Sequence, residues 1–265
     1  MTILHNIYIA SPVLWAFPLE QVIAIVHGRG IGGVEVWAEQ VWYHRSSIRE
    51  IVRLKDRFQM NLTSHAASWD LNIAALNRGI RRQSIRLVKR SILLAEAIGA
   101  NNITIHPGRL TLSATWTDWH FAVLTESLQE ISTFAQAHQA VISVEVMEPV
   151  KKEFIIDAPA VNRLLSQLPD SVMVTLDVAH LPRQTDFDDY FAKIKRINKI
   201  HLSDRSQDRY HLPLGQGDLD CAALLNGLRD SGLPLVIEGH DDRKDQAVLR
   251  ENLDFLRRWL DSITK

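Results

Sequence analysis

The chain has one cysteine, Cys221, in 265 residues, so no disulfide can close within it and no paired thiolates can hold a metal. Cys221 sits among Leu219, Ala222, Leu224 and Leu225 at helical spacing, which reads as small core filler. No apolar run approaches the roughly 20 residues needed to cross a bilayer, and that excludes a transmembrane helix. An excess of one charge is also missing. Thirty basic and 31 acidic residues leave a formal net charge of -1, so the whole-molecule field gathers neither phosphate backbones nor anionic lipid. The first basic residue is Arg29, and Pro12 and Pro18 break the early apolar stretch, so neither region of a secretory signal is visible; the expected location is the cytoplasm. Linker-like, low-complexity and single-charge tracts are absent, and the nine prolines are scattered. This predicts a single domain over residues 1–265.

What is present is alternation. A hydrophobic fraction of 46% beside 23% charge is ordinary for a globular protein, and short β-branched runs alternate with longer amphipathic stretches. Strands are predicted at 6–10, 33–37, 60–65, 102–106, 140–146, 171–177, 197–202 and 234–238. Eight strands at an average spacing of about 30 residues predict an α/β protein, a (β/α)8 TIM barrel. Between them, residues 84–98 put Leu87, Val88, Ser91, Leu94, Ala95 and Ile98 on one stripe, and Gly99 supplies a stop. Stretches 124–137 and 219–228 show comparable spacing.

Side chains able to bind metal stand at the strand ends: Glu145 in SVEV, Asp177 in VTLD, His201 in KIH and Glu238 in LVIE. In a parallel barrel those ends share one face, where residues distant in sequence converge. His65 and His106 follow apolar runs in the same way, His180 stands three residues after Asp177, and His211 lies in the loop after the seventh strand. The remaining histidines, His5, His27, His44, His120, His138 and His240, read as solvated or locally bonded.

The segments HAASWDLNIAALNRGIRRQSIRL, AEAIGANNITIHPG, SVEVME, TLDVAH, KIHLSD, HLPLGQGDLD and LVIEGH resemble the xylose isomerase-like TIM barrel superfamily, and the resemblance spans most of the chain. Its members include sugar phosphate isomerases and epimerases, ketose 3-epimerases, hydroxypyruvate isomerase and endonuclease IV. The resemblance implies one divalent ion held by Glu145, Asp177, His201 and Glu238, with Glu145 and Glu238 also serving as base and acid. Three carboxylates and an imidazole suit Mn2+, Mg2+, Co2+ or Zn2+. On this reading the chain is a metal-dependent isomerase or epimerase of a small sugar, polyol-derived ketone or hydroxy-keto acid. His180 and His211 would hold substrate hydroxyls, and Arg205 or Arg209 would take an oxyanion or phosphate.

Trp15, Trp37, Trp42, Trp69, Trp116 and Trp119 fall mostly after strand ends, where they could wall a small pocket, Trp15 and Trp69 in particular, or join copies of the chain into a homo-oligomer. The competing reading is an endonuclease IV-like zinc phosphodiesterase acting on abasic-site DNA, with His65, His106, His180 and His211 completing a larger metal set. Against it, Arg209 stands where that family has an aspartate. The basic cluster Arg78, Arg81, Arg82, Arg86, Lys89 and Arg90 also falls on a predicted outer helix. A non-catalytic sugar-binding barrel is the third alternative.

Overall fold

The computed structural model describes residues 3–112, 116–181 and 187–263. Its strands are β1 (Ile7–Ala10), β2 (Gly33–Trp37), β3 (Asn61–His65), β4 (Asn102–Ile105), β5 (Val141–Val146), β6 (Met173–Asp177), β7 (Ile197–Leu202) and β8 (Leu235–Ile237). They close a barrel in sequence order, β1 through β8, and every strand pair whose register is given is parallel. Between them run α1 (Leu19–Gly28), α2 (Ala38–His44), α3 (Ile48–Phe58), α4 (Arg78–Ile98), α5 (Thr117–Ala137), α6 (Ala158–Leu165), α7 (Phe187–Lys193), α8 (Cys221–Leu228) and α9 (Ala247–Ile263). None of the described helices is long and apolar enough to cross a membrane.

The strand expectations hold to within two residues. Asn6 ends a 3-10 turn instead of opening β1, and Val172 is tied back to Pro169 O, so β6 starts at Met173. β4 stops at Ile105, leaving His106 just beyond it, and β8 stops at Ile237, just short of Glu238.

The chain forms two compact units. One comprises residues 1–61 and 200–265, the other 62–199, and both boundaries fall inside strands, β3 and β7. In the first unit Tyr8 pairs with Gly33 and Val236, and Tyr8, Ala10 and Val236 form a small buried cluster. α3 begins where the Ser47 side chain accepts the Glu50 N–H, satisfying a donor that the helix itself cannot.

In the second unit, the Asn77 side chain accepts from Gly79 and Ile80 N–H and starts α4 six residues before the predicted stripe. Val88, Ser91, Leu94, Ala95 and Ile98 are buried as expected, and Gly99 ends the helix at φ 68°, a left-handed conformation that suits glycine. The first-unit Cys221 is buried at the head of α8, where loss of solvation pushes its thiol up to about 12. It is therefore a packed, un-ionised side chain.

Tyr8 explains why β2 opens on a glycine. A Cβ on Gly33 would stand 2.2 Å from the Tyr8 ring, whereas one on Gly28 would meet nothing within 4 Å. Gly33→Ala should destabilise the protein by about 1–3 kcal/mol, the usual cost of overpacking. Gly28→Ala should be neutral or stabilising. Urea unfolding distinguishes them, and equal midpoints for the two variants would refute this account of the register.

Candidate functional site

Within the second unit, side-chain alternation brings polar groups to the carboxyl ends of β3 to β6. Thr104 and Thr175, two residues before His106 and Asp177, meet hydroxyl to hydroxyl at 2.9 Å. The Lys199 ammonium, fully buried, donates to Ser64 O and Asn102 O at 3.3 Å each. Next along the strands come Glu145 and Asp177, both buried, with carboxylate oxygens within 4.8 Å of one another.

Glu145 is crowded by imidazoles. Its Oε2 lies 3.4 Å from His65 Nε2 and 3.2 Å from His106 Nε2, and its Oε1 is 3.7 Å from His180 Nδ1. His65, His106 and Glu145 offer ligand atoms within 4.8 Å of one another, and the two imidazole rings meet edge to face at 4.9 Å.

The protons on these rings do not suffice for the acceptors around them. His65 Nδ1 faces Ala66 O at 2.8 Å while its Nε2 faces the Glu145 carboxylate. His180 Nδ1 faces Val146 O at 2.9 Å, and its Nε2 stands 3.5 Å from Asp177 Oδ2 and 3.6 Å from Glu148 Oε2. A neutral imidazole has one N–H to give and these rings face acceptors at both nitrogens. A proton on the carboxyl group, a second proton on the ring or a cation between ring and carboxylate would each meet this shortage.

The same shortage recurs in the first unit. His201 is fully buried, with Nε2 2.8 Å from Glu35 Oε1 and Nδ1 2.8 Å from Glu238 Oε2. The donor set, imidazoles and carboxylates under-supplied with protons, fits a hard or borderline divalent ion.

The loop after β7 is built around Asp204, fully buried. Its carboxylate accepts from the N–H groups of Arg205 at 2.7 Å, Gly217 at 2.8 Å and Leu219 at 3.0 Å. A Cβ on Gly217 would fall 2.3 Å from Arg205 O, so this fold-back needs a glycine. The clamp holds Arg205 buried and Arg209 exposed. It carries His211 at φ 57°, with Nδ1 3.2 Å from Ser203 Oγ.

Trp15 lies against Tyr43 and His240, with ring centroids 5.5 and 5.7 Å away, and Trp69 is exposed in the loop after β3. Five histidines set aside as solvated or local have distant partners. His240 meets Trp15, and His138 Nδ1 lies 3.0 Å from Glu96 Oε2. His120 is buried between Ala74 O and Thr111 N–H, His44 Nε2 reaches Trp15 O at 2.8 Å, and His27 stacks on Phe58 at 4.0 Å. The sequence reading also passed over Glu35, Glu148, Glu153 and Asp204. The sequence signal at Glu35, one charge inside the apolar run GVEVW, acquires meaning only with the burial of β2 on both faces.

Glu153, in the loop after β5, is raised to about 7 by lost solvation and by neighbouring Glu148, against the lowering influence of Arg109, His106 and His180. A carboxyl whose folded pKa lies above its unfolded value binds its proton more tightly in the fold. Its contribution to stability is therefore present below about 4.5 and lost as pH rises through about 7. Glu153→Gln should leave the melting temperature of chelator-treated protein unchanged at pH 4.5 and raise it at pH 8. An equal effect at both pH values would refute the shift.

The family described as xylose isomerase-like TIM barrel matches residues 23–259. Protein MJ1311 of Methanocaldococcus jannaschii is 22% identical over 224 residues, covering 79% of this chain and 76% of that one. Among solved structures, a D-tagatose 3-epimerase-like protein superimposes with a TM-score of 0.82 at 18% identity, covering 97% of this chain and 98% of the other. The 3-keto-D-glucoside 4-epimerase of E. coli gives 0.79 at 16% identity, covering 96% and 98%. Similarity at these identities establishes a shared fold, and with the family match it places this chain in the xylose isomerase-like TIM barrel family.

Proposed function

We propose that this chain is a divalent-metal-dependent isomerase or epimerase of a small hydroxy-carbonyl sugar, polyol-derived ketone or hydroxy-keto acid, working in the cytoplasm as one domain. The observation that carries the reading is the shortage of protons on buried imidazoles that face carboxylates at strand ends. The names of the similar structures, sugar epimerases, support the substrate class. The unbroken match from residue 23 to 259 supports one domain.

Glu145, Asp177, His201 and Glu238 are the residues assigned to one ion, Mn2+, Mg2+, Co2+ or Zn2+. They come from β5 and β6, from β7, and from the residue after β8. Bound there, the ion supplies electrophilic polarisation of a substrate carbonyl and its neighbouring hydroxyl. One of Glu145 and Glu238 takes the proton from the carbon beside the carbonyl: its C–H bond breaks, an O–H bond forms, and the electron pair moves into an enediolate. The other returns a proton, to the opposite face of the same carbon in an epimerisation or to the former carbonyl carbon in an isomerisation, where the neighbouring hydroxyl also gives its proton to the former carbonyl oxygen as its own C=O bond forms. His180 and His211 hold substrate hydroxyls. Arg205, fixed by the Asp204 clamp, faces an oxyanion or phosphate, with Arg209 at the exposed edge. Trp15 and Trp69 are assigned to substrate binding.

The His65, His106 and Glu145 group favours a second reading, an endonuclease IV-like zinc phosphodiesterase, because it offers a further ion three ligand atoms. Arg209 in place of that family's aspartate and a net charge of -1 count against it.

Metal-loaded protein should wash deuterium from D2O into the carbon next to the carbonyl of at least one member of a panel of ketoses, inososes and hydroxypyruvate. Glu238→Gln should stop the exchange with the fold intact, and Asp177→Ala should remove metal by elemental analysis. Metal content unchanged in Asp177→Ala would overturn the ligand set. Incision of abasic-site DNA by the wild type, lost in His211→Ala, would establish the nuclease reading. No exchange across the whole panel would favour a binding barrel.

A further inference from the structure

We infer that Glu35 is a positioning residue of this centre: its carboxylate fixes His201 so that the Nδ1 atom, beside Glu238, is the one presented to the metal. The inference rests on the metal reading above and adds a residue from outside the proposed ligand set.

Glu35 lies in the middle of β2, paired with Ala10 of β1, and is fully buried. Alternation turns Val34 and Val36 to one side of the strand and Glu35 to the other. A buried carboxylate costs several kcal/mol unless a charge or proton meets it, so Glu35 has no place in an apolar strand without a partner. Its Oε1 stands 2.8 Å from His201 Nε2, and on the far side of the ring Nδ1 stands 2.8 Å from Glu238 Oε2.

The ring is thus held between two carboxylates, and a neutral imidazole has one proton to give. If the proton is on Nδ1, the Nε2 lone pair is pressed against Glu35 Oε1 at 2.8 Å, a repulsive contact. With the proton on Nε2, that contact becomes attractive and the lone-pair repulsion passes to Nδ1 and Glu238 Oε2, also 2.8 Å apart, where a cation held between these two atoms of the proposed ligand set would relieve it. Glu35 therefore selects the tautomer, fixes the plane of the ring and makes Nδ1 a better donor. Loss of such an outer carboxylate typically weakens metal affinity by about 10–100-fold.

The experiment uses the full chain stripped of metal and titrated with Co2+, read by visible absorption and by competition with a chelator. Glu35→Gln should bind Co2+ about 10–100-fold more weakly and shift its absorption bands. Val36→Ala, a core truncation on the opposite face of the same strand, should lower the melting temperature without moving affinity or bands. That separates positioning from general loosening of β2. Should Glu35→Gln fail to fold, Glu35→Asp, which keeps the charge and withdraws it by one methylene, should show the same changes to a smaller extent.

A Glu35→Gln variant with wild-type affinity and bands would overturn the role of Glu35 alone. A Val36→Ala variant that loses affinity as Glu35→Gln does would reduce Glu35 to a structural residue. A wild type that binds none of Co2+, Mn2+ or Zn2+ would overturn the metal reading first, and the role of Glu35 with it.

Discussion

Buried carboxylates that face imidazoles already engaged at their other nitrogen create a demand for positive charge, and the remaining features of the site follow from it. Taking a carboxylate out of water costs several kcal/mol, and only a proton, a cationic side chain or a metal ion offsets that cost. Among the described residues Lys199 is a fully buried cationic side chain, and its ammonium donates to the backbone carbonyls of Ser64 and Asn102. Imidazole protons cover part of the demand, since His65 and His180 each have one nitrogen beside a backbone carbonyl and the other beside a carboxylate. Under the proposed function a divalent ion would relieve the rest, and the same carboxylates would carry a proton to and from carbon.

The scaffold holds these groups with little freedom. Strand alternation places the donors, and short backbone devices then fix them. Asp177 Oδ1 accepts Ala179 N–H at 2.7 Å, which orients its carboxylate and starts the turn that carries His180. Asp204 gathers three N–H groups and so makes an otherwise irregular loop rigid, while Ser203 orients His211. Such orientation is what a proton-transfer site needs, because a carboxylate displaced by about 1 Å loses much of its advantage.

The barrel was legible because its strands announce themselves as β-branched runs bounded by turn residues, and both faces of most strands are buried. Site residues at strand ends were legible for the same reason: Glu145, Asp177 and Glu238 interrupt apolar runs where a turn residue is expected. Glu35 was not, since a charge in the middle of GVEVW looks like an ordinary solvent-facing alternation until the strand is known to be buried on both sides. His120 escaped for a different reason. Its partners, Ala74 and Thr111, lie in loops whose course periodicity does not reveal. The unit boundaries inside β3 and β7 have no compositional mark at all.

The basic residues of α4 illustrate how local pairing decides between readings that composition leaves open. Lys89 is paired with Glu130 at 2.7 Å, Arg86 bonds Gln83 on its own helix, and Arg81 lies over the Trp119 ring while donating to Ala75 O. A polyanion would have to displace these partners as well as overcome a net charge of -1, so at least three of the six basic residues in this cluster are already engaged within the protein. Arg205 is in another situation. It is buried at the head of the loop that also carries His211, and under the proposed function its single guanidinium would meet one carboxylate or phosphate of a small substrate, not a chain of phosphates. On α4 the Lys89 charge is neutralised by Glu130, while Arg81 and Arg86 are held by neutral groups, so the helix carries partnered side chains where a nucleic-acid groove would need free ones.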